Sequence, residues 1–218
     1  MKLRLRISGI VKAHNGNRVL DGCSFSFDRP GVYVLMGPNG SGKSTLLRIC
    51  ALLEKPDDGD VIYISGRSML KDDITLRRRM TLVLPQVGIF NSTVFDNVAY
   101  GLRIRGLERQ EIEQKTLAML GFAGLTEKRT QRALSLSSGE KQRLGIARAF
   151  AIAPEMLFLD EPTASIDEAN TRLIEEMILE KKKNGMTMII ATHDRLQAER
   201  LADQILLIRD KKLVAESG

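Results

Sequence analysis

The chain has 218 residues, 43% hydrophobic and 28% charged, which is the usual composition of a water-soluble protein. Its apolar runs are short, as in VYVLM (32–36), whereas a membrane span needs roughly 18 residues, so we expect no transmembrane helix. The net charge is +6, but aromatic residues make up 5% of the chain and none interleaves with the basic clusters, so we expect no nucleic-acid partner. The two cysteines, 27 positions apart, are expected to be free thiols. The N-terminus lacks the apolar stretch of a secretory signal, and we expect a cytoplasmic protein.

Strands and helices alternate along most of the chain. We expect strands at 3–11, 18–27, 32–36, 59–66, 80–85, 156–162 and 186–194, helices at 43–53, 138–153, 168–184 and 195–202, and a closing hairpin around Asp210 and Lys211. The pattern between 93 and 132 is helical throughout. This order predicts an α/β fold with a mostly parallel sheet, an N-terminal antiparallel β subdomain and an inserted helical lobe. We expect one domain over 1–218, with a core of 1–86 and 133–218 and a lobe of 87–132.

A glycine-rich loop follows the apolar strand at 32–36. The sequence GPNGSGKST fits G-x-x-x-x-G-K-[ST] between a strand and a helix, which is specific for binding nucleoside triphosphates. Backbone N–H groups of such a loop surround phosphate oxygens, and side chains at Gly40 and Gly42 would obstruct them. Lys43 would bring its charge to the phosphates and Ser44 an oxygen to Mg²⁺. The predicted contacts are Gly37, Pro38, Asn39, Gly40, Ser41, Gly42, Lys43, Ser44 and Thr45.

Two acidic residues end the buried strand in MLFLDEP. Open α/β sheets hold their ligands at the carboxyl ends of their strands, so Asp160 is expected beside the phosphate loop as a holder of Mg²⁺. Glu161 faces a different direction and would polarise an attacking water.

A second anion site is predicted at the corner LSSGEKQR. Ser137 and Glu140 match a capping box, in which the serine hydroxyl accepts from the N–H of Glu140 and Glu140 reaches back. The cap alone does not explain Ser138 and Gly139, which leave further N–H groups of the helix start bare. A second phosphate site is useful to a protein that pairs with a copy of itself, each corner closing over the other's γ-phosphate.

The same corner resembles the LSGGQ signature of ATP-binding-cassette (ABC) ATPases, and the resemblance covers essentially the whole chain. It implies a nucleotide contact for Ser137, Ser138, Gly139 and Glu140, and it implies that Gln86 is the Q-loop residue that senses Mg²⁺ and the γ-phosphate. It also implies that Asp167 of SID is the D-loop residue at the dimer interface and that His193 contacts the γ-phosphate. The implied cofactors are ATP and Mg²⁺, with Ser44, Gln86 and Asp160 as metal ligands and Glu161, His193, Lys43 and Gln86 as catalytic residues.

Three positions depart from the family pattern. Ser138 replaces the first signature glycine, which is tolerable where φ is negative, and Glu140 replaces the glutamine. His14 stands where the family stacks an aromatic ring on adenine, and Arg18 or Val19 could share that contact.

The family serves several functions. Fewer than 100 residues separate the glycine loop from the signature, too few for the coiled coil of a chromosome-maintenance ATPase. A ribosome-associated member carries two cassettes, and a nucleotide kinase or GTPase would lack Ser137–Glu140 and His193. The resemblance therefore implies a transporter subunit that homodimerises and docks on a permease at the inner face of the membrane, and that serves a solute-binding protein indirectly.

Within transport, the resemblance to importers of tungstate and molybdate is the finer expectation, and an exporter or lipoprotein-release type is the alternative. The segment 87–106 is expected to receive the permease. Phe90, Phe95 and Tyr100 are the candidate contacts, although Phe95 and Tyr100 are equally compatible with the core of the lobe.

Overall fold

The computed structural model describes residues 2–216, and the α/β fold predicted from the sequence is confirmed. The predicted domain of 1–218 includes Met1, Ser217 and Gly218, which lie outside the described residues. The strands are β1 (Leu3–His14), β2 (Asn17–Phe27), β3 (Gly31–Met36), β4 (Asp58–Ser65), β5 (Ser68–Met69), β6 (Met80–Val83), β7 (Met156–Asp160), β8 (Thr187–Ala191), β9 (Gln204–Arg209) and β10 (Lys212–Ala215). The α-helices are α1 (Lys43–Cys50), α2 (Ile74–Arg77), α3 (Val94–Ile104), α4 (Arg109–Phe122), α5 (Ser138–Ala151), α6 (Glu168–Lys183) and α7 (Arg195–Leu201). Short 3₁₀ turns occupy Thr126–Lys128 and Ala133–Ser135.

The strands form two sheets. An antiparallel sheet has the order β2-β1-β4-β5, and a six-stranded sheet has the order β10-β9-β3-β8-β7-β6. In the larger sheet, β3 pairs in parallel with β8 and β9, and β7 pairs in parallel with β8. Every residue of β3, β7 and β8 is buried, which is why these segments read as continuous apolar runs.

Two compact units divide the chain. The first comprises the described residues through Leu82, then Glu155–Glu161, and the chain from Lys181 onward. Its core contains apolar side chains from both sheets and from α1, including the buried Cys23 and Cys50, which are free thiols.

The second unit comprises Val83–Pro154 and Pro162–Glu180. Within it α3, α4 and α5 pack on one another. The predicted core of 1–86 and 133–218, with its lobe of 87–132, stays a prediction. None of the helices between residues 2 and 216 has the apolar run that a bilayer crossing requires.

A few predicted boundaries differ from the structure. The α1 helix ends at Cys50 because Leu52 takes φ of 57° and turns the chain, although the apolar pattern continues to Leu53. The strand at 80–85 ends at Val83. The short elements β5 and α2 have no apolar period in the sequence, and α2 begins where Asp73 accepts the N–H of Leu76 as an N-cap.

Candidate active site

The loop Gly37–Thr45 joins the end of β3 to the start of α1 in the first unit. Its glycines are required for two different reasons. A Cβ on Gly42 would stand 2.9 Å from a Leu20 methyl, and a Cβ on Gly37 would stand 2.7 Å from Ser41 Oγ. Gly40 has open space at that point, but its φ of 79° is one that side chains disfavour. Packing and backbone conformation therefore hold this loop in its shape.

Lys43 is the first residue of α1 and is buried. Its Nζ donates to the carbonyl of Gly37 at 2.8 Å and to that of Pro38 at 3.3 Å, so the loop's own oxygens satisfy the ammonium. The N-cap of α1 is Gly42, which offers no side chain to the free N–H groups of the first turn. The helix start therefore combines N–H donors that have no side-chain cap with a lysine ammonium, an arrangement that suits a phosphate group.

Asp160 ends β7 with 3% of its surface exposed and accepts a hydrogen bond from Ser44 Oγ at 2.9 Å. Burial raises the pKa of this carboxyl above its ordinary value, and the hydrogen bond from Ser44 opposes that rise. A carboxylate and a hydroxyl that already touch supply the oxygen ligands that Mg²⁺ prefers, and the residues therefore fit the ion.

Glu161 and His193 meet because β7 and β8 are in register, with Asp160 opposite Ala191. The Glu161 backbone takes φ of 47°, and its N–H donates to the Ala191 carbonyl at 2.9 Å. One carboxylate oxygen lies 2.9 Å from His193 Nδ1, and the other lies 3.9 Å from Lys43 Nζ. A non-glycine residue at positive φ is strained, and such residues are common at active sites; here the carboxylate on this backbone lies beside Lys43.

His14 is the last residue of β1, at the tip of the β1–β2 hairpin. Its Nε2 lies 3.2 Å from Thr45 Oγ1, so the ring contacts the end of the phosphate loop. Nε2 also lies 3.7 Å from Glu54 Oε1. Sequence reasoning found His14 but missed Glu54, because no motif marks a glutamate in the turn after α1.

The predicted corner starts α5 in the second unit, and its capping box is present. The Glu140 N–H donates to Ser137 Oγ at 3.3 Å, and the Ser137 N–H donates to Glu140 Oε2 at 3.0 Å. Lys128 pairs with the same carboxylate and, more than the cap, lowers the pKa of Glu140. Ser137 and Ser138 are exposed, so the corner faces solvent.

Gly139 is buried, and a larger residue is excluded at this position for a reason that the sequence did not indicate. A Cβ there would stand 2.3 Å from the Asn170 side chain of α6. Asn170 in turn donates to both carboxylate oxygens of Asp167 and accepts from Arg143 Nε at 2.9 Å. The Asn170 N–H bond is the main reason that the pKa of Asp167 is lowered.

Four other predicted residues lie in the second unit. Gln86 is exposed in the segment after β6, and its metal and catalytic roles stay predictions. Phe90 and Tyr100 are 40% and 47% exposed and pack on each other with ring centroids 4.5 Å apart, whereas Phe95 is half-buried.

A buried parallel strand that runs through a glycine loop into a helix, with an aspartate ending another strand of the sheet, defines the class of P-loop nucleoside triphosphatases. The family model for ABC transporters matches residues 20–164. The chain therefore belongs to the ABC transporter ATP-binding family, whose members hydrolyse ATP to power transport.

Individual relatives agree with this assignment. The tungstate uptake system ATP-binding protein TupC of Peptoclostridium acidaminophilum is 37% identical over 99% of both chains. The phosphate import ATP-binding protein PstB 2 of Natronomonas pharaonis is 36% identical over 98% of this chain and 79% of the relative. Among solved structures, cbiO1 from Clostridium perfringens, described as part of the ABC transporter complex cbiONQ, superposes with a TM-score of 0.85 at 26% identity, over 98% of this chain and 88% of that one.

Proposed function

We propose that this chain is the ATP-hydrolysing subunit of a solute importer and that it works as a homodimer on a separate membrane permease. The names of several relatives specify import or uptake, of phosphate, tungstate and methionine among other solutes. The dimer is supported by the start of α5, where the capping box is formed but Ser137 and Ser138 are exposed to solvent. Its remaining N–H groups suit a phosphate, and the phosphate loop of the same chain already has its own set of donors.

In the proposed dimer, two chains enclose two ATP molecules. Gly37–Thr45 of one chain bind the triphosphate, and Ser137–Gly139 of the other close over its γ-phosphate. The exposed segment that contains Asp167 would lie at the interface. His14 would contact the base, with Arg18 or Val19 beside it.

Ser44 and Asp160 would hold Mg²⁺, which when bound draws negative charge from the phosphate oxygens. Gln86 is proposed as a further ligand of the same ion. Glu161 would accept a proton from the attacking water, because its carboxylate is oriented by His193 and lies beside Lys43, the residue proposed to contact the phosphates. His193 and Lys43 would stabilise the charge that develops on the γ-phosphate.

The permease would dock at 87–106. The contact of Phe90 with Tyr100 leaves both rings partly exposed, and Ile104 follows one turn later on α3 with 58% of its surface exposed. Such an apolar patch suits a short helix of a partner. The chain would then lie at the inner face of the membrane without entering it and would serve a solute-binding protein indirectly.

For the transported solute we propose an oxyanion of the tungstate or molybdate type. The 37% identity to a tungstate uptake protein over 99% of both chains supports this choice, and the phosphate import relative handles another oxyanion.

The dimer is tested by sedimentation velocity of the purified chain with Mg²⁺ and a non-hydrolysable ATP analogue. We expect a monomer without nucleotide and a dimer with it, and a monomer at saturating nucleotide would refute the two-chain site. The solute is tested by the tungsten content of cells lacking this chain, complemented with the wild type or with Glu161→Gln. Equal tungsten content in both would reject the oxyanion assignment.

A further inference from the structure

Glu54 joins three basic side chains at the edge of the candidate site. Its carboxylate lies 3.0 Å from Arg48 Nε, 3.6 Å from Lys12 Nζ and 3.7 Å from His14 Nε2. The three side chains come from α1 and from the end of β1, and the Glu54 side chain is only 20% exposed. One carboxylate thus connects the hairpin tip to the helix that follows the phosphate loop.

The backbone places Glu54 there at a cost. After α1 the chain turns through Leu52 at φ of 57°, and the N–H groups of Leu53 and Glu54 return to the carbonyl of Arg48 at 2.9 and 3.3 Å. Leucine at positive φ is unfavourable, and glycine is the usual residue at such a helix end. The turn brings Glu54 back along α1 against the Arg48 side chain.

Thr45 is the second point of contact for the same group. Its Oγ1 accepts from Arg48 Nη2 at 3.3 Å and lies 3.2 Å from His14 Nε2. The His14 Nε2 therefore faces a hydroxyl and a carboxylate together. Contact of one ring nitrogen with two groups at once restricts the orientation of the imidazole.

We propose that Glu54 is a positioning residue for the nucleotide base and acts by holding the His14 ring against Thr45. The inference rests on the proposed contact between His14 and the base. A ring fixed before the nucleotide arrives loses less conformational freedom on binding, and this strengthens the interaction with the base but not the one with the phosphates. Glu54 would therefore contribute to affinity for a nucleotide and leave affinity for a bare triphosphate unchanged.

The test compares two probes, ATP and inorganic tripolyphosphate, by calorimetry on the full chain with Mg²⁺. In Glu54→Gln the size of the side chain and an acceptor for Arg48 remain, but the charge is lost. We expect Kd for ATP to rise about three- to fivefold, the upper end of what one partly exposed charge interaction contributes. Kd for tripolyphosphate should stay within twofold of the wild type, and KM for ATP should rise with kcat unchanged. Glu54→Asp, which keeps the charge but shortens its reach, should change the affinities in the same direction.

Asp57→Asn is the matched control. Asp57 also pairs with Lys12 and accepts the N–H of Ala13, and His14 is the weakest of the neighbours that lower the pKa of Asp57. Among the described residues no hydrogen bond or ion pair joins Asp57 to His14 or Thr45. The control should shift the melting temperature as Glu54→Gln does and leave the ratio of the two Kd values unchanged.

A double-mutant cycle with His14→Ala separates the inference from the proposal beneath it. We expect His14→Ala to weaken the binding of ATP but not that of tripolyphosphate, and we expect Glu54→Gln to have no further effect in that background. If His14→Ala weakens ATP and Glu54→Gln does not, the positioning role is wrong and the base contact stands. If His14→Ala changes the affinity for neither ATP nor tripolyphosphate, the base contact and the positioning role are both wrong. Equal weakening of both probes by Glu54→Gln would show a structural role in the phosphate loop and overturn the inference.

Discussion

Glu161→Gln is the change that most directly tests the proposed chemistry. Glutamine has the size of glutamate, tolerates the same backbone and can still hydrogen-bond to His193. The Lys43 ammonium lies 3.9 Å from the carboxylate but only 2.8 Å from the Gly37 carbonyl, so it keeps its position when the carboxylate charge is removed. We therefore expect ATP to bind to the variant as it does to the wild type.

The chemical step should behave differently. A positioned general base contributes typically about 10²–10⁴-fold, and about 1.36 kcal/mol corresponds to each factor of ten, so kcat should fall by a factor that costs about 3–5 kcal/mol. With binding intact and hydrolysis slow, the ATP-bound dimer should accumulate and appear as a dimer in gel filtration.

The assay is phosphate release at saturating ATP, combined with ATP affinity measured by calorimetry. Glu155→Gln is a suitable control, because Glu155 precedes the opposite end of β7 and its carboxylate bonds to Arg79 instead of facing the loop. The control should hydrolyse ATP at the wild-type rate. A loss of less than tenfold in Glu161→Gln, or a monomer in the presence of ATP, would refute the role given to this carboxylate.

Three further changes test other parts of the structure. Ser137→Arg should abolish phosphate release while ATP affinity of the monomer, measured by calorimetry, stays within twofold, and a large loss of that affinity would mean that the corner serves its own chain's nucleotide. Asp210 and Lys211 form a two-residue turn with φ of 50° and 65°, and glycine takes the second position without strain. Lys211→Gly should therefore stabilise the protein by about 1 kcal/mol and raise the melting temperature by about 2–4 °C. An unchanged or lower melting temperature would contradict this prediction. Glu155→Gln should lower the free energy of unfolding by about 1 kcal/mol at pH 7. The hydrogen bond from Arg79 lowers the pKa of Glu155 below its ordinary 4.5, so this contribution is present above about pH 4.5 and is lost as the pH falls through the lowered pKa, where urea titrations of the two proteins should converge.

The residues predicted best from the sequence are those whose chemistry is local. The phosphate loop, the aspartate at the end of a buried strand and the capping box each lie within ten consecutive residues. Their composition is dictated by backbone conformation, burial or hydrogen bonding at that point. The structure therefore places Lys43, Asp160 and Ser137 on the elements where the sequence placed them.

The features that the sequence did not indicate depend on distant segments. Gly139 is small because Asn170, 31 positions later by the numbering, occupies the space beside it. Glu54 is a neighbour of His14 only in the folded chain, where the end of β1 lies beside α1 and the turn that follows it. Asp167 is still predicted to lie at an interface, and its carboxylate also accepts the N–H of Asn170 at the start of α6, a bond that a three-residue spacing allows but does not require.

The Asn170 side chain has a mechanical consequence. The side chain fills the space beside Gly139, donates a hydrogen bond to Asp167 and accepts one from Arg143. It therefore connects the start of α5 to the start of α6. A tilt of either helix relative to the other would have to break or move these contacts. We therefore expect a neighbouring molecule that displaces Ser138 to disturb Asp167 as well, through Asn170 in the same unit.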